Sequence, residues 1–402
     1  MALHDIGVVG MAVMGSNLAL NMADHGYDVS VYNYTPDLTE QFLQERPHEK
    51  ITGYFELKDF LASLKRPRKV MLMIMAGAPV DSMLDQLLPL LDTGDIIIDG
   101  GNSYFGDTRR RYDRCREDGI HFYGMGISGG ETGARRGPAI MPGGNKETYP
   151  EIQPIYEAIA AKAADGKPCC TYIGEDGAGH YVKMVHNGME YAIMQEISEV
   201  YDIMRKAAHK SNQEMADIFA EWDKGDLNAY LIEIASQVLR QKDDLTDDDV
   251  IDHILNVASY KGTGNWMLED AIKLGAPITV VAEAVLARFM SKATTREGKE
   301  VVYDGEVASD LIDNLGKAMY LAQIVAYAQG FQQLTMAAKA YDWELNYPAI
   351  AQNWEAGCII HAKTLYHIED AYADGKQLDN LFQDPYFAGV MEKNLPALRA
   401  VV

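Results

Sequence analysis

Within residues 182–191, VKMVHNGMEY, the side chains of Lys183, His186, Asn187 and Glu190 recur at i, i+3, i+4 and i+7. In a helix this spacing sets all four on one stripe about two turns long. A core-facing stripe is apolar, whereas this one offers an ammonium, an imidazole, an amide and a carboxyl. It faces either water or a polar ligand. The two ends of the stripe suit acid–base work. An ammonium beside a bound cation is held partly deprotonated and can take a hydroxyl proton. A carboxyl in a dry pocket stays protonated and can give one up. The plain alternative is a solvated helix face.

Other residues suit the handling of anions. Gly10-Met11-Ala12-Val13-Met14-Gly15 follows an apolar run and opens a helical pattern. Small residues there let backbone approach a pyrophosphate at a helix N-terminus, the dinucleotide fingerprint. Asn33-Tyr34-Thr35-Pro36-Asp37 closes the second strand-like run. It has neither the acid that accepts from the ribose of NAD nor the Arg that receives the 2′-phosphate of NADP. Thr35 is placed to cap a helix beginning at Pro36. Asn102 in DGGNS lies just past a strand, either at a ligand edge or in an ordinary turn. Ser128, Gly129 and Gly130 offer a hydroxyl and backbone N–H groups to an oxyanion, or form a flexible Gly-rich loop. Lys261 sits in the glycine turn YKGTGNW, and Arg288 in the mostly apolar EAVLARFMS. An Arg among apolar neighbours needs a partner, either a phosphate or a structural carboxylate.

These residues need a scaffold. DIGVVG, DVSVYN, KVMLMIM and DIIIDGG read as buried parallel strands, with SNLALNMADHG and DSMLDQLLPLL as amphipathic helices among them. That rhythm predicts an α/β fold, a Rossmann-type doubly wound sheet. Beyond about residue 177 helical patterns follow one another to the end. The expected division is therefore a dinucleotide-binding domain at 1–177 and an all-helical domain at 178–402. A faint repeat runs through the helical part, each copy a long helix followed by a tryptophan, Trp222 and then Trp354. At the matching offset Glu190 falls on the apolar Ala322, so the second copy lacks the polar stripe.

Composition narrows the function classes. The chain has 402 residues and 36 Lys and Arg against 59 Asp and Glu, a formal charge of −23. That field opposes generic binding to nucleic acid or an anionic membrane. No basic stretch precedes the N-terminal apolar run, as a signal peptide requires, and no apolar run is long enough to span a bilayer. Cys115, Cys169, Cys170 and Cys358 show no zinc spacing, which fits a reducing, cytoplasmic setting.

Taken together, GMAVMG, DGGNS, SGGETGARRGPAIMPGG, GAGHYVKMVHNGMEY, KGTGNW, EAVLAR and LNYPAIAQNWEAGCII resemble the decarboxylating 6-phosphogluconate dehydrogenases, in family order and over nearly the whole chain. The resemblance implies a Rossmann-type coenzyme domain, a helical domain built from a duplicated unit, and a homodimer. It implies oxidation of 6-phosphogluconate at C3, loss of CO2 and reprotonation to ribulose 5-phosphate, with no metal. By matching position it makes Lys183 the base and Glu190 the acid. Asn102, Ser128, Gly129, Gly130, His186 and Asn187 would hold the substrate, and Tyr191, Lys261 and Arg288 its phosphate. Residues 10–15, 33–35, Met75-Ala76-Gly77 and Asn102 would line the coenzyme.

The chain departs from the family pattern in four places. Tyr34 stands where an Arg usually reads the NADP 2′-phosphate, which favours NAD or relaxed specificity over the NADP of the family. Met75 replaces a frequent Lys, and Arg136 a usual Tyr. The sequence given ends at LPALRAVV, before a segment whose Arg and His reach the partner's site in relatives. A related β-hydroxyacid dehydrogenase of the 3-hydroxyisobutyrate type would share the Gly loop, Ser128-Gly129-Gly130 and Lys183, but would not need Glu190, Lys261 or Arg288. A non-catalytic nucleotide or sugar-phosphate binder would not need Lys183 and Glu190 together.

Overall fold

The computed structural model describes residues 3–259, 262–292, 303 and 305–402. They fall into two compact units, Met1–Met184 with Asp342–Cys358, and Val185–Tyr341 with Ile359–Val402.

The first unit is built on seven strands: β1 (Ile6–Val9), β2 (Val29–Tyr32), β3 (Ile51–Tyr54), β4 (Lys69–Leu72), β5 (Ile96–Asp99), β6 (His121–Ile127) and β7 (Ile140–Gly144). Their order is β3-β2-β1-β4-β5-β6-β7, parallel except for the β6–β7 pair. Between them run α1 (Val13–Asp24), α2 (Pro36–Glu45), α3 (Leu57–Ala62), α4 (Ala78–Leu87), α5 (Phe105–Glu117) and α6 (Gly130–Arg136), with α7 (Gln153–Ile159) after β7. Alternate strand residues serve two cores. Ile6, Val8, Met71, Ile96 and Ile98 pack with α1 and α7. Val9, Val70, Leu72, Ile97 and Phe122 pack with Phe60 of α3 and Leu84 of α4. Burial on both faces is why these strands are unbroken apolar strings. The chain direction across the sheet reverses at β1 and β4, whose C-terminal ends therefore open the crevice that takes ligands in such sheets.

The Gly-rich run 126–144 is ordered. It ends β6, turns at Gly129, forms α6 and returns as β7. Gly143 and Gly144 pair with Gly124 and Tyr123 of β6. Glycine dilutes the apolar alternation by which a strand is recognised, so β7 leaves little trace in sequence.

The second unit is helical. It takes most of α8 (Ala178–Lys206), then α9 (Asn212–Trp222), α10 (Tyr230–Arg240), α11 (Thr263–Leu274), α12 (Thr279–Ser291) and α13 (Leu311–Tyr341). The short helix α14 (Tyr347–Asn353) belongs to the first unit, and α15 (Thr364–Ala371) and α16 (Pro385–Val401) again to the second. Ser211 and Glu214 close a capping box at the start of α9, as the spacing S-x-x-E requires. The two longest helices meet where Gly330 of α13 admits the Met189 side chain; a Cβ there would lie 2.2 Å from its sulfur. No described helix is long and apolar enough to cross a membrane.

This division differs from 1–177 and 178–402. Helix α8 is continuous, and its first residues pack with the sheet. Residues 342–358 also return to the first unit. There Trp354 is fully buried with its indole N–H 3.4 Å from Met141 Sδ, and Asn353 donates to the Ile140 carbonyl at 3.0 Å. Trp222, its proposed counterpart, lies in the second unit against Gly316. The element order of the repeat is present, but its two tryptophans serve different cores.

Candidate active site

The loop after β1 is built for close approach of a ligand. A Cβ on Gly10, whose φ is +102°, would lie 2.4 Å from the Met73 carbonyl oxygen, and one on Gly15 would lie 1.9 Å from that of Gly10. Neither position accepts a side chain. Ala12 caps α1 without any side-chain hydrogen bond, and no acid occupies the first turn. The helix N-terminus is thus left to an external anion, so these residues fit a dinucleotide pyrophosphate.

Asn33 has a structural task that spacing alone did not suggest. Its Oδ1 accepts from the Met11 N–H at 3.0 Å, and its Nδ2 donates to the Thr35 carbonyl at 3.0 Å. An aspartate could accept but not donate, which explains the amide at this strand end. Thr35 holds the N-cap position of α2, yet its hydroxyl makes no capping bond, contrary to expectation. Val13, Tyr34 and Met75 are 56%, 73% and 75% exposed. Gly77 lies at the start of α4, and its carbonyl accepts from Arg111.

Asn102 is exposed on the turn after β5, flanked by two residues bound to one carboxylate. Asp99 Oδ1 accepts from the Gly101 N–H at 3.1 Å and Oδ2 from the Ser103 hydroxyl at 2.6 Å. Buried Arg111 lies 3.6 Å from Asp99 and forks onto Asp81 through two bonds of 2.9 Å. This fork lowers the Asp81 carboxyl far below its ordinary value. Arg111 therefore joins the Gly77 loop to the Asn102 turn. Nothing in DTRRRYDR marks which arginine is buried, so this residue escaped sequence reasoning.

Ser128 is buried beside the left-handed Gly129, which α6 follows. A Cβ on Gly129 would lie 2.6 Å from the Gly357 carbonyl oxygen, so the returning segment 342–358 forms the floor of this turn. The same carbonyl accepts from the Ala139 N–H.

Lys183, buried at 6% exposure, stands directly on β6. A Cβ on Gly126 would come 2.4 Å from its own Cβ, and Gly179 lies against the backbone of Gly124, Met141 and Gly143. Bare backbone at these points lets α8 approach the sheet so closely. His186 and Asn187 are also buried and Glu190 is partly so, hence the stripe is not a solvated face.

Further along α8, within the second unit, His186 Nδ1 pairs with Asn187 Oδ1 at 3.1 Å, and Asn187 Nδ2 donates to Thr263 Oγ1 at 3.1 Å. Thr263 opens α11 just after KG of the glycine turn; Lys261 itself lies outside the described residues. Tyr191 packs on Gly264, and the Arg288 guanidinium lies 3.7 Å from the centre of the Tyr191 ring. Arg288 also donates to the Ser259 carbonyl. Its partners are thus an aromatic face and a carbonyl, neither of which neutralises its charge. Of the three residues expected at a phosphate, Tyr191 and Arg288 are in contact. Among the described residues no group of His, Cys, Asp and Glu is arranged to hold a metal ion.

Comparison with known proteins bears on this arrangement. The family model described as the NAD binding domain of 6-phosphogluconate dehydrogenase matches residues 5–174, and that of the 6-phosphogluconate dehydrogenase C-terminal domain matches 179–402. The chain is 48% identical to the decarboxylating 6-phosphogluconate dehydrogenase of Lactococcus lactis, and 47% identical to the NADP(+)-dependent enzyme of Bacillus subtilis. In each case the match takes in 100% of this chain and 87% of the relative. A solved 6-phosphogluconate dehydrogenase of Plasmodium falciparum, studied alone, with its cofactor NADP+ and with its substrate 6-phosphogluconate, matches with a TM-score of 0.93 at 39% identity. That match covers 98% of this chain and 87% of that one. A glycine cradle without side chains, a polar stripe buried on α8 and this full-length likeness identify the chain as a member of the 6-phosphogluconate dehydrogenase family.

Proposed function

We propose that the chain oxidises 6-phosphogluconate at C3 and decarboxylates it to ribulose 5-phosphate and CO2. With its pyrophosphate held in the Gly10–Gly15 cradle, the oxidised coenzyme would supply its nicotinamide as the acceptor for the C3 hydride. Lys183 takes the proton from the C3 hydroxyl. The resulting ammonium then gives that proton to the C3 oxygen while the bond between C1 and C2 breaks and CO2 leaves, and Lys183 takes it back as the enediol becomes the ketone. Glu190 returns a proton to C1 of the enediol. Asn102, Ser128, Gly129, Gly130, His186 and Asn187 orient the hydroxyls and carboxylate; Tyr191, Lys261 and Arg288 take the phosphate. The observation that carries this reading is the burial of Lys183, His186 and Asn187 on one helix stripe. Buried polar groups of three kinds in one row suit a polar ligand better than a packing surface.

The coenzyme reading is relaxed specificity, with NAD used at least comparably to NADP. Tyr34 is free to stack on adenine but cannot neutralise a 2′-phosphate. Asp37 follows it, and Glu56 raises the nearby Tyr32 phenol by its negative charge, after burial. A homodimer in a reducing, cytoplasmic setting fits the four free, buried cysteines and the family; sedimentation at the mass of one chain would contradict the dimer. The direct test is the ultraviolet absorbance of reduced nicotinamide, followed with 6-phosphogluconate and each coenzyme in turn. Turnover with 6-phosphogluconate and not with 3-hydroxyisobutyrate supports the reading. Binding without turnover would overturn it.

A further inference from the structure

Arg46 follows α2 directly and is only partly exposed. Its guanidinium reaches across to α1, where Nη2 donates to Asn17 Oδ1 at 2.6 Å and Nη1 to Ser16 Oγ at 3.4 Å. Both acceptors are buried and are themselves tied to the opening turn of α1. The Asn17 amide donates to the Val13 carbonyl at 2.8 Å, and the Ser16 hydroxyl to the same oxygen at 3.2 Å. The cation is thus fixed beside the start of α1 by neutral groups, which orient it without neutralising it.

This sets Arg46 apart in its unit. Every other arginine there, except the exposed Arg136, forms an ion pair with an aspartate. Arg46 forms none among the described residues, and its neighbour Glu45 accepts instead from the Gln41 amide at 2.8 Å. In a chain of formal charge −23 carboxylates are in excess, so an arginine that meets only neutral oxygens has its charge left for an anion from outside. The N-terminus of α1 beside it has no acid in its first turn and no side-chain cap. The positive end of a helix and a guanidinium favour the same anion. The 2′-phosphate of NADP is the competing choice. In such folds it is received at the end of the second strand, here Asn33 to Thr35. Arg46 lies past the far end of α2, a helix of 10 residues and about 15 Å, and its bonds are to α1.

We propose that Arg46 is a coenzyme-binding residue that supplies the positive charge for the pyrophosphate in the Gly10–Gly15 cradle. The pyrophosphate is common to NAD and NADP, so this charge serves both and does not discriminate between them. It adds affinity for either coenzyme where Tyr34 offers no cation. The inference rests on the reading of the cradle as the coenzyme site.

Two variants separate charge from hydrogen bonding. Lysine keeps the charge, whereas glutamine keeps donor hydrogens without it. Dissociation constants of NAD+ and NADP+ are measured by titration calorimetry in the absence of substrate, beside the melting temperature of each protein. Arg46→Gln is expected to weaken both coenzymes by about tenfold, the scale of one charge-assisted hydrogen bond, and by the same factor within about twofold. Arg46→Lys is expected to keep most of the affinity, with all three proteins melting at similar temperatures. Raising the ionic strength from about 0.1 to 1 M shortens the screening length from about 10 to 3 Å. It should therefore weaken coenzyme binding more in wild type than in Arg46→Gln. A loss confined to NADP+ would overturn the proposal by assigning the charge to the 2′-phosphate. A loss shared equally by Arg46→Lys, or one that tracks melting temperature alone, would overturn it by reducing Arg46 to a support of α1. If wild type binds both coenzymes and Arg46→Gln binds them as tightly, only the assignment of Arg46 fails. If wild type binds neither, the reading of the cradle fails and takes Arg46 with it.

Discussion

At the scale of single residues, a buried polar row was legible where it shared one helix. Spacing alone placed Lys183, His186, Asn187 and Glu190 on one stripe, and burial of that stripe removes the solvated alternative. In the proposed mechanism the acid and base act on different carbons, so removing Glu190 should uncouple them. In Glu190→Ala, release of ribulose 5-phosphate is expected to slow by about 100- to 10,000-fold, the usual range for a general acid, with hydride transfer slowed less. Rapid-quench analysis checks this; a loss confined to the Michaelis constant would contradict it. The proposed coenzyme specificity turns on Tyr34. Tyr34→Arg is expected to raise kcat/KM with NADP by at least about tenfold, the scale of a charge-assisted hydrogen bond, and to leave the value with NAD little changed. A native preference for NADP of a thousandfold or more would show that another basic group holds the 2′-phosphate. The role of Asn33 was not legible, because it depends on a backbone N–H and a backbone carbonyl brought in by folding. A sequence does not display its main-chain partners.

At the scale of elements, the strands around the crevice were legible from apolar runs, and α8 from its polar stripe. The footing of α8 on β6 was not, although its signal is present as glycines two residues apart, Gly124 and Gly126. They face one side of the strand, as period two requires, and clear it for His180 and Lys183. Arg111 is the counterpart on α5. It is fully buried, between Asp81 and Asp99. Arg111→Leu leaves the buried Asp99 without its nearest cation, so a stability loss of about 3–5 kcal/mol is expected near neutral pH. The pH dependence has a definite sign. Asp81 has its carboxyl pKa lowered by folding, mainly by Arg111, so its stabilisation is present above the ordinary value of 3.8 and is lost as pH falls below it. The gap between wild type and Arg111→Leu should therefore narrow in denaturant titrations as pH drops below about 4. A gap that stayed constant would show that the loss is one of packing.

At the scale of the whole molecule, the change from strand-rich to helix-rich texture near residue 177 indicated two bodies, and the structure divides them close by, within α8. The return of residues 342–358 to the first unit was hidden. YPAIAQNW carries an ordinary helical pattern, and periodicity does not say which core a helix serves. Contacts such as those of Trp343 with Asp176 and of Trp354 with Met141 make that visible. The consequence reaches the site, because this segment floors the Ser128-Gly129-Gly130 turn. The account as a whole turns on Lys183 as the base for substrate oxidation. Its most direct test is a single turnover of Lys183→Met, with excess enzyme, 6-phosphogluconate and bound coenzyme, following reduced nicotinamide in a stopped-flow instrument. We expect the coenzyme to bind as it does in wild type and the hydride-transfer phase to fall by at least about 100-fold, the contribution of a positioned base. Hydride transfer within about threefold of wild type would contradict the assignment and, with it, the reading of the stripe on α8.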